Sequence, residues 1–114
     1  MKTDRVFDFS VSMITDLGHT VEETGEAGDF SSFLRIRREL NHFLLNLNLS
    51  NGAEGVGQRI HFLFVALEHL ENVDKEIRIN GGRQEMINLE KIHEKIRSLK
   101  FLILNYIKHL TGEN

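Results

Sequence analysis

Apolar residues recur every three or four positions in four stretches of this 114-residue chain. That spacing places the apolar side chains on one face of an α-helix. The four stripes are Val6, Phe9, Met13, Leu17 and Val21; Phe33, Ile36, Leu40, Phe43, Leu44 and Leu47; Val56, Ile60, Leu63, Leu67, Leu70 and Ile77; and Leu89, Ile92, Ile96, Leu99, Ile103, Tyr106 and Leu110. The pattern predicts helices over about residues 4–23, 30–50, 56–79 and 84–110.

Glycine-containing segments separate the four stretches, at residues 24–29, 51–55 and 80–82. Glycine takes the positive φ angles that tight turns need, so we expect the chain to reverse direction at these points. Short connections place consecutive helices antiparallel. The sequence therefore predicts an all-α fold in which residues 1–114 form one domain, an antiparallel up-down-up-down four-helix bundle.

Composition narrows the classes of function. Hydrophobic residues make up 40% of the chain and no proline interrupts it, which favours a folded, helical domain over a disordered one. The absence of cysteine excludes a disulfide framework and thiolate chemistry. The N-terminal residues lack the order of a signal peptide and no apolar stretch approaches a membrane span, so we expect a cytoplasmic protein with no membrane partner. The formal net charge of -3 disfavours broad non-specific binding to nucleic acid but allows a local basic patch.

Three of the helices carry apolar residues outside their main stripe. These residues are Leu34, Leu45 and Leu49 on the second helix, Phe62, Phe64 and Val65 on the third, and Phe101, Leu102 and Leu104 on the fourth. A helix that is apolar on two sides lies in the middle of a fold or against another subunit. We therefore expect these residues to form the interface of a homo-oligomer. The alternative is that they are scattered exposed residues, which folded proteins tolerate.

Arg37 falls within the predicted stripe of Phe33 and Leu40 on the second helix. A buried guanidinium without a partner is unfavourable, so a carboxylate on the third helix is expected beside it. Glu68 and Glu71 lie opposite in an antiparallel hairpin, and Glu71 is favoured because it borders the apolar stripe. The alternative is that Arg37 extends along the edge of the helix to water.

Four short elements follow one another at fixed offsets along the chain. They are Ile36-Arg37-Arg38; Asn46; the set Phe62, Leu63, Val65, Ala66 and Leu70; and the segment Ile-Leu-Asn-Tyr-Ile-Lys-His-Leu at 103–110. Together they resemble the four-helix bundle proteins first noticed as open reading frames in intervening sequences of large-subunit ribosomal RNA genes. That superfamily includes Avd, the accessory protein of diversity-generating retroelements.

The resemblance implies a bundle that assembles into a ring, typically a homopentamer, and a family without an established catalytic activity. It also implies that Avd-like members bind nucleic acid and a reverse transcriptase. From these implications and the surplus apolar residues we predict a non-enzymatic, self-assembling bundle without a cofactor. It is expected to act as a scaffold or adaptor for a protein or nucleoprotein partner. The alternative is a nucleic-acid-binding accessory protein resembling Avd.

The candidate nucleic-acid-binding residues are Arg35, Arg37, Arg38 and Arg59. Arg35 and Arg38 are three positions apart and share the solvent side of the second helix. A basic cluster of this kind, repeated around a ring, is suited to contact phosphates. The alternative is an ordinary solvated face, since Glu39 lies nearby.

A third hypothesis is a ferritin-like di-metal protein. Two Glu-x-x-His pairs, Glu39…His42 and Glu90…His93, fall on the second and fourth helices, where di-iron bundles place such pairs. A helical wheel, however, places His42 opposite the apolar stripe and both glutamates outside it. We therefore expect no metal site and no catalytic residue.

Overall fold

Within the residues that the computed structural model describes, which are 8, 10–16, 18, 19, 30–80 and 86–112, the chain is α-helical except at residues 53–55 and 112. The described residues before position 20 are all helical and belong to α1. The following helices are α2 (Phe30–Gly52), α3 (Val56–Asn80) and α4 (Met86–Thr111). The predicted all-α class is confirmed.

Helices α2 and α3 are antiparallel neighbours joined by residues 53–55. At the open end of this hairpin the Nε atom of Arg35 lies 3.3 Å from Glu76 Oε2. At the turn the hydroxyl of Ser50 donates a hydrogen bond of 3.0 Å to the carbonyl oxygen of Arg59. Early residues of α2 therefore face late residues of α3, as in the predicted up-down arrangement.

Helix α4 runs antiparallel to α3 on the other side. His93 Nδ1 lies 2.7 Å from Asp74 Oδ1, and Lys100 forms an ion pair with Glu71. The order of the partners is again reversed between the two helices. The bundle is thus built from consecutive antiparallel pairs, and its longest dimension of 43 Å matches the length of about 39 Å expected for the 26 residues of α4.

One apolar cluster fills the centre and draws on all four helices. Its buried members are Ile14, Ile36, Leu40, Phe43, Leu47, Leu63, Ala66, Leu70, Val73, Ile77, Ile92, Ile96, Leu99, Ile103, Tyr106 and Ile107. Helix α1 is attached both by Ile14 and by a contact of 3.5 Å between Asp16 Oδ2 and Lys95 Nζ on α4. The predicted stripes of α2, α3 and α4 form most of this core because their spacing follows the helical repeat.

The helix boundaries agree with the sequence to within two residues where both ends are described. Helix α2 extends to Gly52 instead of residue 50, α3 to Asn80 instead of 79, and α4 to Thr111 instead of 110. The predicted ends of α1 and the predicted start of α4 lie outside the described residues.

The turn between α2 and α3 is held by a side chain and does not use a positive φ angle. Gly112 is the one described glycine with positive φ, at 79°, so the chain reverses direction at residues 53–55 as expected, but without the positive φ angle that glycine can supply. Instead, the Nε atom of Arg59 donates a hydrogen bond of 2.9 Å to the carbonyl oxygen of Ala53. Because the guanidinium satisfies a carbonyl left free at the end of α2, Arg59 stabilises the hairpin.

Candidate functional site

Large apolar side chains are exposed on three helices. Those with 43–51% of their surface exposed are Leu34, Leu45, Leu49, Val56, Phe64 and Leu104. Phe101 is the most exposed, at 68%. Six of these seven belong to the predicted interface set, and Val56 belongs to the predicted core stripe of α3. Exposed apolar residues of this size and number are typical of a surface that another molecule covers.

Three of them share the outer side of α2, which we call the leucine face: Leu34, Leu45 and Leu49. Leu45 and Leu49 are one helical turn apart, and Leu34 precedes Leu45 by about three turns. This side is opposite the fully buried Phe43 and the buried Leu47. The leucine face is therefore separate from the core of the bundle.

A second apolar surface lies along α3 and α4, and we call it the phenylalanine face: Phe64, Phe101 and Leu104. The ion pair between Glu71 and Lys100 fixes the register of these helices. Leu104 follows Lys100 by one turn, and Phe64 precedes Glu71 by two turns, so both side chains project on the side of that ion pair. Because the two helices are antiparallel, both residues lie toward the same end of the bundle. Phe101 extends the surface around α4.

The two apolar faces point in different directions. Helix α3 packs closely against both α2 and α4, whereas no Cα atoms of the described residues of α2 and α4 approach within 8 Å of each other. Helices α2 and α4 are thus diagonal across the bundle. The leucine face and most of the phenylalanine face therefore lie on different sides of the molecule.

The other three predicted interface residues, Phe62, Val65 and Leu102, are partly buried within the chain itself. Phe62 and Val65 lie two turns and one turn before His69, which contacts α2, so they face the α2 side. Leu102 follows Lys95 by two turns and faces the α1 side, because Lys95 contacts α1. These residues line seams between helices, and their place in an outer interface stays a prediction.

The predicted ion pair between Arg37 and Glu71 is wrong. Arg37 is exposed, and Glu71 pairs with Lys100 on α4. Two residues along a helix correspond to a rotation of about 200°. Because His69 faces α2, Glu71 must point to the opposite side, toward α4. Arg37 extends to solvent, which was the alternative for this residue.

A polar cluster joins α2 to α3 near the middle of the hairpin. Glu39 Oε1 lies 2.6 Å from His69 Nδ1 and accepts a hydrogen bond of 3.1 Å from the side-chain amide of Asn72. The ring of His42 stacks on that of His69, with centroids 5.0 Å apart. Burial raises the pKa of the Glu39 carboxyl, but the hydrogen bonds from His69 and Asn72 outweigh it and hold the pKa below its ordinary value. Glu39 is thus an ionised, engaged carboxylate.

The lowered pKa of Glu39 predicts an acid-dependent loss of stability. The Glu39 interactions stabilise the fold fully above the ordinary glutamate pKa, and this contribution is lost as the pH falls through the lower pKa of the folded state. At pH 6, Glu39→Gln should lower the free energy of unfolding by about 0.5–1 kcal/mol, and the difference from wild type should shrink toward pH 3. Urea unfolding at both pH values measures this. Glu68→Gln, at an exposed position beside His69, is the control and should show no such change; an equal change would contradict the assignment.

A buried carboxylate connects α3 to α4. Asp74 has only 8% of its side chain exposed, and its oxygens lie 3.0 Å from Arg78 Nη2 and 2.7 Å from His93 Nδ1. The neighbouring ion pair places Lys100 in the same seam, where burial lowers the pKa of its ammonium group. The sequence carries no signal for these pairs, because a helical wheel does not show which neighbour a face meets.

The structure does not bring the four candidate arginines together. Arg35, Arg37 and Arg38 are exposed near the start of α2, whereas Arg59 is bound to the turn, roughly 20 Å farther along the hairpin. Arg35 and Arg38 border an open groove between α2 and α3 with a volume of about 280 Å³. The groove is lined by Arg35, Arg38, Glu39, Asn72, Lys75 and Glu76. Lys75 also lines the groove, and the sequence does not predict this because Lys75 lies on the other helix.

The Glu-x-x-His pairs are engaged in contacts between helices. Glu39 binds His69 and His93 lies against Asp74, while the side chain of Glu90 lies outside the described residues. The described part of the chain contains no group of three or more potential metal ligands among His, Cys, Asp and Glu. Nor does any helix, within the described residues, have the length and apolar character needed to cross a membrane.

Comparison with known proteins adds no relative to this picture. No protein-family model, curated protein or solved structure matches the chain.

Proposed function

We propose that this protein is a non-enzymatic, cytoplasmic helical bundle that assembles with copies of itself and serves as a scaffold or adaptor. The partner of the assembly is a protein or a nucleoprotein. The observation that supports self-assembly most directly is the exposure of seven large apolar side chains, between 43% and 68%, on a chain with a complete core of its own. Covering such residues with another subunit removes apolar surface from water.

The placement of the apolar residues favours head-to-tail association. An interface related by a two-fold axis uses the same patch on both subunits, whereas a head-to-tail interface joins two different patches. The leucine face and the phenylalanine face are two such patches on different sides of one bundle. Contacts between different patches close into a ring when the rotation allows it. The resemblance noted from the sequence implies a ring of five, and we propose membership of that superfamily on the same basis.

The native mass in solution tests the proposal. Light scattering at low micromolar concentration should give about five times the 13.2 kDa mass of one chain. A mass that corresponds to a smaller or larger closed ring would support self-assembly but contradict the ring size of five. A mass of 13.2 kDa at all accessible concentrations would contradict the proposal.

Phe101→Glu should dissociate the assembly to monomers. The substitution places a carboxylate at the most exposed apolar position, where association would bury it without a partner. Circular dichroism should show unchanged helicity because Phe101 is outside the core. Gln58→Glu adds the same charge at an exposed position of α3 outside both apolar faces and should leave the mass unchanged. An unchanged mass for Phe101→Glu would mean that the phenylalanine face is not the interface.

Mixing two variants tests the head-to-tail arrangement itself. Leu45→Glu disrupts the leucine face and Phe101→Glu the phenylalanine face, so each alone should be monomeric. In the mixture, the intact leucine face of one variant meets the intact phenylalanine face of the other. A species of two chains should therefore form only in the mixture. Its absence, with both single variants monomeric, would contradict the head-to-tail arrangement, whereas an interface that joins like faces would leave one of the two single variants associated.

Binding of nucleic acid is the second candidate function, in the manner of an accessory protein. The observation that favours it is the position of Arg35 and Arg38, exposed on the rim of a solvent-open groove. Backbone phosphates are bound mainly by such side chains, and the affinity falls steeply with salt. Salt-dependent retention of the protein on immobilised RNA tests this function separately from the native mass.

A further inference from the structure

The groove between α2 and α3 brings together cations from both helices. Arg35 and Arg38 come from α2 and Lys75 comes from α3. Arg38 and Lys75 are exposed, and neither has an ion-pair partner within the described residues. Two positive groups on opposite walls of one groove, without an ion-pair partner among the residues that the structure describes, are suited to hold an anion between them.

The two carboxylates of the groove are engaged by other groups. Glu39 is bound by His69 and Asn72, and Glu76 lies 3.3 Å from the Nε atom of Arg35. The pair of Arg35 and Glu76 lies within the groove and cancels its own charge, so Arg38 and Lys75 are the cations that remain beside Glu39. Three cationic and two anionic side chains give the groove a formal charge of +1.

We propose that this groove binds a phosphodiester group of a nucleic-acid backbone, with Arg38 and Lys75 contacting its non-bridging oxygens. A phosphodiester carries one negative charge, which complements the groove. The groove has a volume of about 280 Å³ and is open to solvent, so a nucleic-acid chain can continue on both sides of the bound phosphate. The proposal names the binding site for the second candidate function, nucleic-acid binding, and rests on that function. It does not depend on self-assembly.

Paired substitutions test the assignment. A fluorescein-labelled single-stranded RNA is titrated with wild type, with Arg38→Gln/Lys75→Gln, and with the control Arg97→Gln/Lys108→Gln, and anisotropy is measured at several salt concentrations. Both double variants lose two exposed positive charges, so their net charge is the same. The groove variant should bind about tenfold more weakly, and its slope of log affinity against log salt should fall by about 1.4. The control should remain within about twofold of wild type. An equal loss in both would overturn the site, because it would show non-specific attraction.

Inorganic phosphate is the second probe and distinguishes the source of the anion. If the protein does not bind RNA, it is titrated with inorganic phosphate, and the backbone amide NMR signals of α2 and α3 are followed. Shifts around the groove that Arg38→Gln/Lys75→Gln abolishes would overturn the nucleic-acid proposal in favour of a free phosphate. No response to either probe would overturn the site altogether.

The native mass separates this proposal from the proposed assembly. Arg38 lies on α2 between Leu34 and Leu45, so its substitution affects the leucine face as well. Lys75→Gln alone is therefore the decisive variant, since Lys75 belongs to neither apolar face. Weaker RNA binding with an unchanged native mass would support the groove. Wild-type affinity for RNA in Lys75→Gln would contradict the role of Lys75, whatever the oligomeric state.

Discussion

Replacing Phe43 with alanine is expected to lower the free energy of unfolding by about 3–5 kcal/mol. Phe43 is fully buried and lies in the core cluster between α2 and its neighbours. Removal of the ring loses its transfer free energy and leaves a cavity that rigid helices fill only in part. Urea unfolding followed by circular dichroism, at one fixed protein concentration, measures the change.

Phe101→Ala is the matched control, because the same atoms are removed from a side chain that is 68% exposed. For a monomer it should change the free energy of unfolding by less than about 0.5 kcal/mol. If the chain self-assembles, the effect of Phe101→Ala should grow with protein concentration, since association stabilises the folded state by mass action. Similar losses for Phe43→Ala and Phe101→Ala in dilute solution would contradict the burial described above.

The fold is predictable from the sequence because a single signal repeats over long helices. In α2, residues 36, 40, 43 and 47 fall on one side, and all four are buried. Helix ends follow from the same pattern, together with short glycine-containing connections. The prediction for the turn at 51–55 was wrong in detail, because it relied on glycine. The actual stabilising contact comes from the side chain of Arg59, which binds a carbonyl oxygen six residues earlier in the chain.

The contacts between helices are less predictable. Arg37 is one residue from the buried Ile36, so it lies near the boundary between apolar and polar sides, and small errors in the wheel decide its burial. Its predicted partner Glu71 was placed at the correct height along α3 but faces α4. The position of a residue along the helix axis follows from the length of the connection between the helices. The direction of its side chain, in contrast, depends on which neighbouring helix each face meets.

Only one wall of the groove is predictable from the sequence. Arg35 and Arg38 share one helix, and their spacing of three residues places them on the same side. Lys75 and Asn72 belong to another helix, and only the register of α2 against α3 brings them to the same place. That register is fixed by the pairs formed by Arg35 and Glu39. The pairs Arg35–Glu76 and Glu39–His69 thus hold α2 against α3. This places Arg38 and Lys75, which have no ion-pair partner among the described residues, on opposite walls of the groove.

Asp74→Asn should lower the free energy of unfolding by about 1–3 kcal/mol, because it removes the charge from a carboxylate in contact with both Arg78 and His93. Both partners are partly exposed and recover hydration, so the loss should remain below that of Phe43→Ala. Glu71→Gln is the matched control: it breaks an ion pair between the same two helices, but with a carboxylate that is 51% exposed. Exposed pairs contribute about 0–1 kcal/mol. Urea unfolding of both variants should therefore rank Asp74→Asn as the more harmful. The reverse order would mean that water reaches Asp74 and that the Glu71 pair fixes α4 against α3.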